Sequence, residues 1–173
     1  MATPPTRHSS DDLVWMGRAL DLAQAMRGHV WPNPPVGCVI VKDGAAVAQA
    51  ATNVGGRPHA ERQALEKAGP LARGATLYVT LEPCCHWGET PPCADAIVDA
   101  EISRVVCAIR DPDPRVNGGG FATLRRAGLD LSVGARAGDA ERLISGFANR
   151  IRHGVPEVVD AGRKRCRLRF DDD

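Results

Sequence analysis

The chain lacks a long uninterrupted hydrophobic segment. A membrane-spanning helix needs about 20 consecutive apolar residues, and no such run occurs among the 173 residues. Residues 1–10 are polar and contain prolines, so they lack the apolar stretch of an export signal. These absences predict a cytoplasmic protein with no membrane partner.

The chain also lacks an excess of charge of either sign. It has 22 Lys and Arg against 21 Asp and Glu, a formal net charge of +1. Dedicated nucleic-acid-binding domains usually carry a strongly basic face. The basic run at residues 163–169 is followed by three aspartates, and we interpret it as a solvated chain end. We therefore expect no nucleic-acid partner.

What the sequence does contain is a set of metal ligands. His59 stands in a His-Ala-Glu segment, Cys84 follows a proline, and Cys93 follows two prolines. One imidazole and two thiolates can hold Zn²⁺ in three of its four tetrahedral positions and leave one for water, whose pKa then falls. Glu61 is not needed as a ligand and can exchange protons. The set predicts a catalytic zinc site with Glu61 as the catalytic residue.

A structural zinc site and a group of buried thiols are the alternatives. A structural site would need a fourth ligand, and Cys85 and His86 lie next to Cys84. However, structural sites commonly use Cys-x2–4-Cys pairs, which this chain lacks. Cys85 is also a weaker candidate than Cys84, since neighbouring residues of an extended segment point in different directions. We favour a catalytic site, whose thiolates require a reducing compartment.

The spacing of the ligands places them at helix starts. His59 and Glu61 would lie about 200° apart in the middle of a helix, so they converge only near its end. A proline precedes His59, and good helix formers occupy 59–68. Cys93 likewise precedes a helical segment at 94–100. We expect two helix N-termini, whose positive dipole ends favour thiolate, to point at one ion.

Hydrophobic periodicity predicts alternating helices and strands along the rest of the chain. The predicted elements are a helix capped by Ser10 or Asp11, a hairpin of strands 36–41 and 46–52, a helix at 59–68, a strand at 76–81, a helix at 94–100, a strand at 105–109, a helix at 121–127 and a strand near 129–133. Such alternation after one hairpin predicts an α/β fold with a mixed sheet covered on both faces.

The ordered set of ligands resembles the zinc-dependent cytidine deaminase superfamily, whose signature is His-x-Glu followed by Pro-Cys-x-x-Cys. Here eight residues separate Cys84 from Cys93. This longer loop is similar to that of the pyrimidine deaminases of riboflavin biosynthesis. Three further segments also resemble those enzymes: 32–41, 74–80 and 111–114. The resemblance extends over about residues 12–155 and implies a three-layer α/β/α sandwich with a mixed central sheet.

The resemblance also implies an activity. It predicts hydrolysis of an exocyclic amine on a diamino-hydroxy-pyrimidine that carries a phosphoribosylamino group, with release of ammonia. It implies substrate contacts at Asn33, Ala60, His86, Asp111 and Asp113. A turn position between prolines explains Asn33 equally well, and His86 also fits a purely structural role.

Three positions depart from this resemblance near the expected sugar phosphate. They are Glu89, where a basic residue is usual, Asp113, where an amide is usual, and Gly119, where an arginine is common. Acidic groups repel a phosphate, which prefers Lys, Arg or helix N-terminal amides. The departures therefore leave the exact substrate open. The nearby cations that would compensate are Arg57, Arg110 and Arg115.

We expect residues 11–155 to form one deaminase domain, with a flexible lead-in at 1–10 and a charged tail at 156–173. Fused bacterial enzymes continue into a reductase after a segment similar to 154–156. Only 17 residues follow that segment here, too few for a nucleotide-binding domain. The expected partners are a small pyrimidine, a separate reductase unless the chain is a truncated fused enzyme, and further copies of the chain.

Two other classes of protein stay open. The first is a deaminase of another pyrimidine or purine base or nucleoside. A nucleic-acid deaminase of that class should show the shorter Pro-Cys-x-x-Cys loop and a basic face. The second is a non-catalytic zinc-binding module, which would tolerate the loss of Glu61. The presence of Glu61 favours an enzyme.

Overall fold

The computed structural model describes residues 8–88 and 91–154 of the chain. In chain order the helices and strands are α1 Ser10–Ala25, β1 Gly37–Lys42, β2 Ala45–Ala51, α2 Ala60–Ala68, β3 Thr76–Val79, α3 Cys93–Asp99, β4 Arg104–Cys107, α4 Gly119–Arg126, β5 Asp130–Val133, α5 Ala137–Leu143 and α6 Ser145–His153. Short 3₁₀ turns cover Val54–Gly56 and Gly69–Ala72. Glu89 and the predicted tail at 156–173 lie outside the described residues.

The strands form one five-stranded sheet in the order β2-β1-β3-β4-β5. Strand β1 is antiparallel to β2 and β3, whereas β3, β4 and β5 run parallel to one another. Two groups of helices cover the sheet, with α1 next to α5 in one group and α2, α3 and α4 in contact in the other. The predicted α/β sandwich with a mixed sheet is confirmed.

Strand β1 lies at the centre of the core and is apolar on both faces. Val39 and Ile40, on opposite faces of the strand, are both fully buried. Gly37 begins the strand where α1 passes closely, since a Cβ there would lie 1.8 Å from the carbonyl oxygen of Ala19. Only glycine permits this approach of helix and strand, which holds the start of β1 in place beside the functional site.

The turn between β1 and β2 and the start of α1 show how local chemistry sets the element ends. Asp43 and Gly44 have φ angles of 51° and 76°, as expected for a two-residue hairpin turn. Ser9, rather than the predicted Ser10 or Asp11, caps α1. Its hydroxyl accepts from the Asp12 amide at 3.1 Å, and the Asp12 carboxylate accepts from the Ser9 amide at 3.0 Å. This reciprocal pair determines the first residue of the helix.

Two features of the fold differ from the sequence prediction. Strands β3 and β4 end at Val79 and Cys107, two residues earlier than predicted, because the chain leaves the sheet there to enter the loops of the functional site. Helices α5 and α6 were not predicted. Helix α5 starts from Arg136 in a left-handed conformation without a side-chain cap, so the usual start signal is missing. No helix of the described part is long and apolar enough to span a bilayer.

Candidate metal centre

The three predicted ligands converge. The Nδ1 atom of His59 lies 3.7 Å from the Sγ atom of Cys84 and 3.5 Å from that of Cys93, and the three ligand atoms all lie within 4.8 Å of one another. Zinc bonds of about 2.0 Å to nitrogen and 2.3 Å to sulfur, at tetrahedral angles, place ligand atoms at separations of about 3.5–3.8 Å. The donor set and its spacing therefore fit a zinc ion, and Cys85 and His86 are not part of the group.

Two helix starts and one loop bring these ligands together. His59 is the N-cap residue of α2, and Cys93 is the first residue of α3. The loop after β3 carries Cys84, whose Sγ atom accepts from the Cys93 amide at 3.2 Å. Its carbonyl oxygen accepts from the Ala94 amide at 3.1 Å. The predicted convergence of two helix N-termini on one centre is confirmed.

The two thiols are electrostatically coupled. The Cys93 thiol, and next the His59 ring, hold the pKa of Cys84 at about 4 against the opposing effect of burial. The same contact with Cys84, together with burial, raises the pKa of Cys93. One thiolate therefore forms readily and the second needs further positive charge. A divalent cation held by His59, Cys84 and Cys93 would supply that charge and favour loss of the remaining proton.

Glu61 lies in the first turn of α2, two residues beyond His59, and is 4% exposed. Burial raises its pKa to about 7, partly opposed by the positive charge of His59. It is not a member of the ligand group. A carboxyl group that changes protonation near neutral pH and is not committed to a metal suits proton transfer.

A cavity of about 210 Å³ opens next to Glu61. Four of the five predicted substrate contacts line it, together with His59 and Cys84: Asn33, His86, Asp111 and Asp113. Ala60 is fully buried in the core and is not part of the lining. The structure therefore gathers most of the predicted site residues around one space, and Cys93 lies buried behind it.

Glu82 lines the cavity too and was not predicted. Its carboxylate accepts from three backbone amides, those of Asp111 at 3.2 Å, Gly118 at 3.0 Å and Phe121 at 3.2 Å. These bonds hold the loop after β4 and the start of α4 against the loop that carries Cys84. An acid at the end of the apolar segment 76–81, directly before Pro83, is the sequence signal that would have indicated this role.

Asp113 does not place an unpaired charge in the cavity. Both of its oxygens accept from the Arg115 guanidinium, at distances of 2.5–3.1 Å, and this pairing lowers the pKa of Asp113. Its neighbour Asp111 has a pKa raised to about 6, mainly by burial. The predicted repulsion of a phosphate by Asp113 is therefore offset by Arg115, which also lines the cavity.

Gly119 lies against the side chain of Cys85. A Cβ at this position would lie 2.5 Å from the Sγ atom of Cys85, so a longer residue would require that thiol to move. Of the three cations proposed to compensate, Arg57 and Arg115 line the cavity, whereas Arg110 does not. Helix α6 contributes two further lining residues, Phe147 and Arg150, which were not predicted because no element was expected there.

The fold and this site together define a class of protein. A mixed sheet between helices, one nitrogen and two sulfur ligands at helix starts, and a non-ligand glutamate beside the histidine are the arrangement of zinc-dependent deaminases of nitrogen bases. The cavity of about 210 Å³ next to the glutamate has room for a single base.

Comparison with known proteins agrees with this class. The family model of the cytidine and deoxycytidylate deaminase zinc-binding region matches residues 9–109. Riboflavin biosynthesis protein RibD of Escherichia coli (strain K12) is 51% identical over 147 residues, which cover 85% of this chain and 40% of that protein. The diaminohydroxyphosphoribosylamino-pyrimidine deaminase of Buchnera aphidicola subsp. Schizaphis graminum is 41% identical over 145 residues, which cover 84% of this chain and 99% of that protein.

A solved structure gives the same result. The diaminohydroxyphosphoribosylaminopyrimidine deaminase/5-amino-6-(5-phosphoribosylamino)uracil reductase of Thermotoga maritima has a TM-score of 0.81 and 41% identity, covering 85% of this chain and 43% of that one. The chain belongs to the cytidine and deoxycytidylate deaminase family, among the deaminases of riboflavin biosynthesis. It spans about 40% of the length of the RibD proteins that it matches.

Proposed function

We propose that this chain hydrolyses the exocyclic amine of diaminohydroxyphosphoribosylaminopyrimidine and releases ammonia. The observation that carries the proposal is the convergence of His59, Cys84 and Cys93 next to the buried, non-ligand Glu61 at the wall of one cavity. The substrate follows from the Buchnera deaminase, nearly all of whose length this chain covers.

The residues of the site divide the chemistry between them. His59, Cys84 and Cys93 would hold zinc, which when bound supplies the Lewis acidity that makes water a nucleophile near neutral pH. Glu61 would accept a proton from water and deliver it to a ring nitrogen, then take the proton of the newly added hydroxyl group and pass it to the leaving amine. The balance is one water consumed, one C–N bond broken, one C–O bond formed and one ammonia released.

The predicted substrate contacts keep their proposed roles. Asn33, His86 and Asp111 offer donors and acceptors on the cavity wall for the edge of the pyrimidine. Ala60 would contribute through its backbone, because its side chain is buried in the core. Asp113 would act through the Arg115 side chain that it holds.

The partners and boundaries of the domain are further parts of this proposal. The Thermotoga relative couples a deaminase to a reductase, and we infer that a reductase acts on the product here, in a separate chain or in a further part of the same one. We also propose that the deaminase domain comprises residues 11–155. A cytoplasmic location and a homo-oligomeric state are expectations carried from the sequence.

An ammonia-release assay with zinc-loaded protein tests the proposal. The substrates would be the phosphoribosylamino-pyrimidine, its dephosphorylated counterpart, cytidine, deoxycytidylate and transfer RNA. We expect turnover to be fastest with the phosphoribosylamino-pyrimidine, because the cavity places cations as well as base contacts around one small molecule. Faster ammonia release from cytidine, deoxycytidylate or RNA would refute the assignment, as would no release from any of them.

A further inference from the structure

Arg150 lies in α6 and lines the cavity, and its guanidinium group contacts two aromatic rings and a backbone carbonyl. The carbon of the guanidinium lies 5.1 Å from the centroid of the Trp31 ring and 5.3 Å from that of the Phe147 ring. Its Nη2 atom donates to the carbonyl oxygen of Pro32 at 2.8 Å. The side chain is thus packed between two aromatic rings beside Asn33, a proposed substrate contact.

No carboxylate of the described residues pairs with this charge. Among residues 8–88 and 91–154, Arg150 forms no salt bridge, and its Nε atom is buried without a hydrogen-bond partner. The Nδ1 atom of His86, on the same cavity, is also buried and unpartnered. Buried polar atoms nearly always have a partner. Both side chains line the cavity, so a polar ligand bound there would lie beside them.

Arg115, which also lines the cavity, differs from Arg150 because it has a carboxylate partner. Arg115 donates to both oxygens of Asp113, so the charge of that pair is largely cancelled within the protein. Arg150 keeps its full positive charge at the cavity, although cation–π contacts with two rings compensate part of its desolvation. A guanidinium that lines a cavity without a carboxylate partner among the described residues is well suited to a phosphate group.

We propose that Arg150 binds the phosphate end of the substrate and thereby selects phosphorylated pyrimidines. This inference rests on the proposed function, since it takes the substrate to carry a phosphate. Trp31 and Phe147 position the guanidinium, so that little side-chain freedom is lost when the phosphate binds. Nothing in the deamination step itself requires Arg150, which separates its role from that of Glu61.

Substitution of Arg150 by Met, which keeps most of the aliphatic stem, tests this role. The matched control is Arg152→Met, an exposed arginine on the same helix. We expect Arg150→Met to raise KM for the phosphorylated substrate by about 10- to 100-fold, as for the loss of a charge-assisted hydrogen bond. Its kcat should stay close to that of the unmodified protein, and KM for the dephosphorylated substrate should not change. Arg150→Lys should recover part of the loss.

A binding measurement separates this inference from the proposed function. Ribose 5-phosphate, titrated calorimetrically into the zinc-loaded protein, should bind at least about tenfold more weakly to Arg150→Met and Trp31→Ala than to the unmodified protein or Arg152→Met. Failure of every pyrimidine to react would reject the proposed function, and the ribose 5-phosphate titration would still decide the role of Arg150. The proposed role of Arg150 would be overturned if ribose 5-phosphate did not bind to the unmodified protein or bound equally to all variants. It would also be overturned if Arg150→Met raised KM equally for the phosphorylated and the dephosphorylated pyrimidine.

Discussion

Asp12 and Glu61 are both buried carboxyl groups, but the regions around them are built in opposite ways. Asp12 is 2% exposed and accepts from Arg104 at 2.7 and 3.0 Å, from Tyr78 at 3.1 Å and from the Ser9 amide at 3.0 Å. Glu61 is 4% exposed and forms no salt bridge within the described part of the chain.

The pKa values follow from this difference. The Arg104 guanidinium holds the pKa of Asp12 well below its ordinary value, whereas burial raises that of Glu61 to about 7. Asp12 joins the start of α1 to β3 and β4 and remains charged at every physiological pH. Glu61 keeps a proton available near neutrality. The number of partners that a buried acid has therefore distinguishes a structural group from a reactive one.

Removal of a metal ligand should give the largest loss of activity, and the change should be limited to the region around Glu61. Cys84→Ser is expected to lose zinc binding and, with it, measurable ammonia release, because only two ligand atoms remain. Cys85→Ser is the control, since Cys85 lies next in sequence but outside the ligand group. Zinc content by atomic emission and the ammonia assay would check both variants. Equal zinc loss in the two would contradict the assigned ligand set.

Replacing Glu61 and Asp12 by their amides should distinguish the reactive acid from the structural one. Glu61→Gln should retain zinc and lower kcat by about 10²- to 10⁴-fold, because the amide cannot transfer protons. Asp12→Asn should leave kcat per folded molecule unchanged and reduce the free energy of unfolding instead. Stopped assays and urea unfolding of both variants provide the comparison. Full turnover by Glu61→Gln would remove the basis of the assigned proton transfer.

Arg104→Met should give the smallest of these effects and a characteristic pH dependence. We expect a loss of about 2–3 kcal/mol in unfolding free energy at pH 7, since Asp12 stays buried without its guanidinium partner. The pKa of Asp12 is lowered in the folded protein, so the pair stabilises the fold above the ordinary value of 3.8. That contribution decreases as the pH falls below this value and is lost when the pH passes the lowered pKa of folded Asp12. Urea unfolding at pH 7 and pH 3 should show the difference between the variant and the unmodified protein shrinking at pH 3.

Local sequence was sufficient to identify the metal centre. His59 and Glu61 could be assigned because a proline and a run of helix formers place them in one helix start, and Cys93 because a second helix start follows the same pattern. The alternation of strands and helices gave the mixed sheet for a similar reason, since each element buries its own apolar face. These features depend on residues a few positions apart.

Other parts of the site depend on side-chain directions in loops or on contacts between distant segments. The pairing of Asp113 with Arg115 was not anticipated, although the residues are near neighbours, because side-chain direction in an irregular loop has no periodic signal. Arg150 lies 118 residues from Pro32, whose carbonyl oxygen it binds. No property of α6 alone indicates that it reaches the cavity.

The sequence by itself predicted the group of metal-ligating side chains, the acid beside them and the class of fold, because helix starts, strand periodicity and ligand chemistry are local properties. Only the tertiary structure decided which polar groups are neutralised and which are not. Asp12 and Arg104 are 92 residues apart and cancel each other's charge, whereas Arg150 comes into the cavity without a carboxylate partner among the described residues. Charge compensation in a folded chain depends on distances through space, which spacing along the sequence does not contain.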